Sequence, residues 1–321
     1  MPRAASQTGR RRFLGGLVTA ALVLLGAQAA AVDLSDPPAT TSPIIADAAV
    51  PTPPGQFSVQ PYLTLGVVRG RFTPSCGGRS AHGDFTSLES PLKIAYGLPR
   101  NSEVFVQATF IQNWAGGVTD PTLPGRRAAS YCGAGDTLLV LKHQLLAETA
   151  RVPTVTAFLG VNFPTGHHFH LNPARLGLDS LGTGTLAFTP GVNLSKWLGP
   201  VYLYANLWYS FSNRNPGVVS NQLAGPLLTS VHGRDQVTWN LAAEWPLAGG
   251  WVALLEFYST WDVGPLFRSS PEPRSALLGL SPGLEYVFSP GWGGALGVAV
   301  DLAGRNSFYA ITPIVTVQAK F

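Results

Sequence analysis

A closed antiparallel transmembrane β-barrel of about twelve strands is the fold predicted by this 321-residue sequence, and three observations predict it. The chain ends on a long alternating segment, Phe308 to Phe321. One face holds Tyr309, Ile311, Pro313, Val315, Val317, Ala319 and Phe321; the other holds Ala310, Thr312, Ile314, Thr316, Gln318 and Lys320. Such a period of two suits a strand with lipid on one side and water on the other. Apolar residues make up an ordinary 45%, yet charged residues only 12%, about half the share of a soluble domain. Beyond the first 29 residues no apolar run reaches the roughly 18 residues of a transmembrane helix, which leaves the closed barrel as the structure that satisfies its backbone in lipid.

The N-terminus sets the compartment. Arg10-Arg11-Arg12, the apolar run Leu14 to Gly26 and Ala27-Gln28-Ala29 form the three parts of a secretory signal peptide over residues 1–29. Four of the 21 Lys and Arg residues lie there and none of the 17 acids, so the mature chain carries 17 of each and its basic character disappears. A nucleic-acid partner loses its support with it. The aromatic carboxy-terminal residue resembles the end of the closing strand in bacterial outer-membrane barrels. That resemblance implies localisation in the outer membrane and engagement of the barrel-assembly machinery through the last strand.

Residues 30–55, rich in Pro, Thr and Ala, are expected to be a periplasmic lead-in, with a plug inside the barrel as the alternative. The barrel should occupy 56–321. Alternation marks strands at 57–69, 85–97, 103–114, 136–147, 153–163, 183–196, 201–213, 235–247, 251–262, 276–288, 292–302 and 308–321. Outward faces are clean, as in Val201, Leu203, Ala205, Leu207, Tyr209 and Phe211, or Leu278, Leu280, Pro282, Leu284, Tyr286 and Phe288. Short turns such as Gly249-Gly250 and Pro290-Gly291 alternate with long loops after the first, third, fifth, seventh and ninth strands, which places both termini in the periplasm and the long loops outside. Trp197, Trp245, Trp251 and Trp292 fall at the short-turn ends of strands, and Trp114, Tyr209, Trp261 and Tyr309 toward the other ends, as two interfacial girdles should.

Phe158-Leu-Gly-Val-Asn-Phe-Pro-Thr-Gly166, Leu181-Gly-Thr-Gly184, Phe188-Thr-Pro-Gly191 and the strand at Tyr202 to Phe211 resemble a bacterial outer-membrane β-barrel family associated with the meta-pathway of phenol degradation. Its members end one strand on Pro-Thr-Gly and open the next with Leu-Gly-x-Gly. The resemblance is strong over 155–213 and general elsewhere. It implies a barrel that passes small solutes, aromatic or apolar compounds among them. His167-His168-Phe169-His170 departs from the pattern, which usually carries an acid there. The motif glycines also suit tight turns on architectural grounds alone.

Several side chains could carry chemistry. Glu244, Glu256 and Glu285 take inward positions on the eighth to tenth strands, opposite Lys93 and Lys142 on the second and fourth. They either set a transverse field in an open lumen, with Lys142 the base facing the acids, or pair and fill a closed one. Cys76 and Cys132, assigned to the first and second external loops, are expected to form a disulfide in an oxidising compartment. His167, His168, His170 and His82 lack a nearby carboxylate or thiolate, so no metal or other cofactor is assigned. External arginines, Arg126, Arg127, Arg175, Arg274 and Arg305 among them, point to lipopolysaccharide as a partner beside the membrane lipids. No catalytic motif occurs; His143 faces outward without an evident serine partner, which leaves an outer-membrane hydrolase as a minor alternative. The expected function is a small-solute channel, the alternative a structural or surface-interaction barrel with a plugged lumen.

Overall fold

The computed structural model describes residues 40–74, 78–80, 83–119, 126–212, 235–263 and 274–321. The strands are β1 (Phe57–Phe72), β2 (Arg79–Ser80), β3 (Asp84–Leu98), β4 (Ser102–Thr119), β5 (Arg126–Leu146), β6 (Thr154–Phe163), β7 (Ala187–Trp197), β8 (Tyr202–Ser212), β9 (Gln236–Pro246), β10 (Trp251–Asp262), β11 (Ala276–Ser289), β12 (Trp292–Arg305) and β13 (Phe308–Lys320). Each pairs with its sequence neighbour, except that β2 is a two-residue appendage of β1 and β3 pairs with β1 directly. β13 returns to β1, from Ser58 opposite Lys320 to Arg71 opposite Phe308, so twelve long antiparallel strands close a barrel without a free edge. Phe57 and Phe321 lock the seam by exchanging both backbone hydrogen bonds, at 2.8 and 3.0 Å.

Closure separates two solvents. Leu207 is 59% exposed and Leu203 and Phe211 point the same way, while Asn206 between them is buried. On β13, Val315 is exposed and Thr316 is buried. A soluble protein would bury the leucines and expose the asparagine; the inversion is the mark of a wall facing lipid. Trp197, Trp245, Trp251 and Trp292 stand at the strand ends joined by short turns, at the same rim as the Phe57–Phe321 seam. Trp261 and Tyr309 stand at the other rim.

Three expectations need correction. β5 begins at Arg126 rather than near 136, so the connector after β4 is short and Cys132 lies exposed on a strand rather than in a loop. A register shift between Ala108 and Phe110 lets β5 keep pairing past Asp136; before it the inward positions are odd, so Tyr131 faces inward and Cys132 outward, while Lys142 beyond it keeps the inward parity expected. Cys76 and the proposed disulfide lie outside the described residues, as do residues 1–39 with the signal peptide, and His82. The largest correction concerns the lead-in: residues 40–53 lie inside the barrel, not beyond it.

Candidate functional site

The lumen is filled by residues 40–53, an irregular segment with three prolines, Pro43, Pro51 and Pro53. A segment with no ladder of its own must find partners for its buried backbone groups elsewhere. Wall side chains supply them. The Glu256 carboxylate accepts from the backbone N–H of Ile44, Ile45 and Ala46 at 2.8–2.9 Å, so a buried acid is held by three backbone dipoles in place of a cation. Glu285 accepts from Thr41 N–H, and Glu103 from both N–H and Oγ1 of Thr52. Asn206 accepts from Asp47 N–H and donates to its carbonyl; Ser195 accepts from Ala49 N–H, and Thr156 donates to the Ala49 carbonyl.

Asp47 is the electrostatic centre. Its carboxylate meets Lys142 Nζ at 2.9 Å and Lys93 Nζ at 3.3 Å and accepts from Asn193 Nδ2 at 2.8 Å. Burial alone would raise the Asp47 carboxyl, but the two ammonium groups outweigh it and hold it below the usual carboxylate range. Lys142 also donates to the Ala48 carbonyl and lies 3.6 Å from Glu103, its cross-strand partner on β4. Lys93 sits 4.3 Å from the Phe105 ring centroid. Glu244 is fully buried and accepts from Tyr204 Oη at 2.8 Å. The five residues singled out by sequence thus lie inside, but Lys142 pairs with Asp47 and Glu103, not with Glu244, Glu256 or Glu285.

Apolar packing completes the fit. Ile44 joins Leu254, Ala295, Ala299 and Ile314 of the wall, and Ala46 joins Tyr204 and Ala242. Glycines make room: a Cβ at Gly293 would run into the Thr41 side chain, and one at Gly97 into the Pro53 carbonyl. Beside the segment a cavity of about 350 Å³ remains, lined by Lys93, Lys142, Glu103, Tyr62, Tyr202 and Tyr204 among others.

At the other rim lies the loop between β6 and β7, which carries the Pro-Thr-Gly and Leu-Gly-Thr-Gly motifs. Asp136 ties its two ends together, accepting from Gly166 N–H, Thr183 N–H, Thr183 Oγ1 and Asn162 Nδ2 at 2.7–3.0 Å. The motif glycines are what let this neck close, since a Cβ on Gly182 would come within 2.5 Å of Asp136 Oδ1. The loop then turns inward, packing Leu176 and Leu178 on Ala115, Phe85, Ala129 and Tyr131. His167 and His168 each donate from Nδ1 to a backbone carbonyl, of Asp179 and Gly166 respectively, and so serve the loop's own fold.

His143 does have a serine partner, contrary to expectation: Ser102 Oγ lies 2.9 Å from its Nδ1. Ser102 opens β4 next to a turn and is its cross-strand neighbour, a pairing visible only once the register is known. Sequence reasoning also missed Asp47, Glu103 and Asp136. Of these only Asp47, the lone acid in Ile44-Ile45-Ala46-Asp47-Ala48-Ala49, carried a signal in the chain.

Among solved structures, the barrel is similar to an outer membrane channel from Pseudomonas putida F1, with a TM-score of 0.62, 14% identity, and coverage of 88% of this chain and 100% of that one. The translocator domain of autotransporter NalP from Neisseria meningitidis matches at a TM-score of 0.44 and 12% identity over 83% of this chain and 88% of that one. The toluene transporter TbuX from Ralstonia pickettii matches at 0.41 and 12% over 84% and 90%. These last two are too distant to bear on function. No curated protein matches the sequence. A family model matches residues 94–312, more than half of the chain, and so takes in the Asp136 neck and most of the wall that grips residues 40–53. The chain therefore belongs to the family described as "Putative MetA-pathway of phenol degradation".

Proposed function

We propose that this protein is an outer-membrane channel for small solutes, aromatic or apolar compounds in particular, with both termini in the periplasm and residues 40–53 governing passage through the lumen. The observation that carries the reading is the way the lumen is occupied. The wall commits Glu103, Glu256, Glu285, Lys93 and Lys142 to one continuous segment, through its backbone N–H groups and Asp47, rather than to pairing with one another across a closed interior. A filler held by polar bonds to its backbone can be exchanged for water and solute without exposing a large apolar core. The Pseudomonas putida structure, described as an outer membrane channel, supports the fold side of this reading, and the phenol-degradation description of the family supports the solute class.

Proteoliposomes test it. Uptake of a monoaromatic compound should exceed that of a sugar of similar size, and empty liposomes should set the baseline. Equal, baseline rates for both would favour the alternative, a structural barrel whose lumen stays plugged. Hydrolysis is not proposed, because among the described residues the Ser102–His143 pair is accompanied by no carboxylate on the imidazole.

A further inference from the structure

The outward wall carries a second cavity, which solute passage through the lumen does not use. Its volume is about 540 Å³, and Trp261 of β10, Leu278 of β11 and Ala303 of β12 give it an apolar floor with Arg274 and Arg305 at its edge. Strand register explains the cavity. Leu278 stands opposite Ala303 but Gly279 opposite Asp301, so Leu302 is an extra residue and the wall bends there. Trp261 and Leu302 are exposed, on the face that meets lipid and at the rim away from the Phe57–Phe321 seam.

Among the described residues the charge at the edge has no ion-pair partner. Arg305 Nε donates to the Arg274 carbonyl, which brings the two residues together. Asp262, the acid at the trough, is buried and committed to Ser275 N–H and Gln236 Nε2. An apolar trough in the lipid-facing wall, with two cations above it at the depth of the aromatic girdle, is complementary to a lipid that has both acyl chains and exposed phosphates. Arginine suits phosphate best of all, through paired N–H donors.

We propose that this trough binds lipopolysaccharide, with an acyl chain of lipid A on Trp261, Leu278 and Ala303 and a lipid A phosphate on Arg274 and Arg305. The proposal rests on outer-membrane placement with this rim outward, and is independent of whether the lumen conducts.

Titration of the purified full-length barrel with lipid A, followed by native mass spectrometry, tests it. Arg274→Gln combined with Arg305→Gln should weaken lipid A binding about tenfold, the scale of two exposed charge contacts. Ala303→Trp, which fills the trough and keeps both arginines, should weaken it as well. Arg151→Gln at the opposite rim should leave it unchanged, and heat-modifiability gels should show every variant folded. Wild-type affinity in the double arginine variant would overturn the proposal, as would equal affinity of the wild type for phosphatidylglycerol. Saturable benzoate binding lost in the double variant, with lipid A binding intact, would assign the trough to a solute and overturn it too.

Discussion

Replacing Lys142 by methionine should unseat the lumen segment while leaving the barrel closed. The side chain is 2% exposed, and its ammonium group serves three partners: Asp47 at 2.9 Å, the Ala48 carbonyl at 2.8 Å and Glu103 at 3.6 Å. Removing one member of a buried ion pair costs about 3–5 kcal/mol, because the other charge is left without compensation. Both carboxylates keep some support, Asp47 from Lys93 and Asn193 and Glu103 from Thr52, which puts the cost near the lower end, ~3 kcal/mol. At about 1.4 kcal/mol per tenfold, the equilibrium between seated and released segment moves roughly a hundredfold. The reporter is Thr41→Cys in a background without Cys76 and Cys132, since Thr41 is buried in the seated segment. Its rate of labelling by a polar thiol reagent should rise about a hundredfold, as the shift in the equilibrium requires. Heat-modifiability should persist, because the strand ladders do not involve Nζ. Asp47→Asn should raise labelling less, and the double variant should raise it by less than the two effects combined, since the shared contact is lost only once. Unchanged labelling in Lys142→Met, or strict additivity with Asp47→Asn, would refute the idea that this ion pair seats the segment.

The remaining predictions concern the neck, the lipid face and the seam. Asp136→Asn turns one acceptor oxygen into a donor facing donors, at a cost of about 1–3 kcal/mol, and limited proteolysis should then cut within 164–186 of a barrel that is otherwise folded. Val315→Arg puts a charge on an exposed strand position of the lipid face and should lower folding stability in bilayers by about 2–4 kcal/mol, read from denaturant titration. A stability change close to zero would mean that Val315 does not meet lipid. Deleting Phe321 removes both backbone bonds to Phe57, and the fraction of newly made chain found heat-modifiable in the outer membrane should fall while total synthesis stays constant.

The strands were legible because a membrane barrel writes two solvents into alternate residues. Leu203, Leu207 and Phe211 against Asn206, or Val315 against Thr316, give the parity of a strand without knowledge of its neighbours. The same parity put Glu244, Glu256 and Glu285 on inward positions. What alternation cannot give is the partner across the lumen. Residues 40–53 have no period of their own, since their conformation is dictated by wall groups more than a hundred positions later, such as Ser195, Asn206 and Glu256. Gly293 and Gly297 of β12 are clearances for Thr41 and Ile44, a role that shows only once the segment is seen in the lumen. The family motif was legible as a pattern, but its reason was not, because the acid that closes the neck, Asp136, lies in a strand some 30 residues before Gly166. Glu103 and Lys142 likewise become partners only through the β4–β5 register.

Single-channel conductance in planar bilayers tests most directly the claim that residues 40–53 govern the lumen. The full-length barrel is compared with one from which residues 40–53 alone have been removed. The expected result is low conductance from the complete chain and a several-fold larger, steady conductance from the shortened one, with Glu256→Gln in the shortened barrel shifting its reversal potential toward anion preference. Equal conductance from two barrels that are equally heat-modifiable would contradict the account, because the segment that fills the lumen would then have no part in what passes through it.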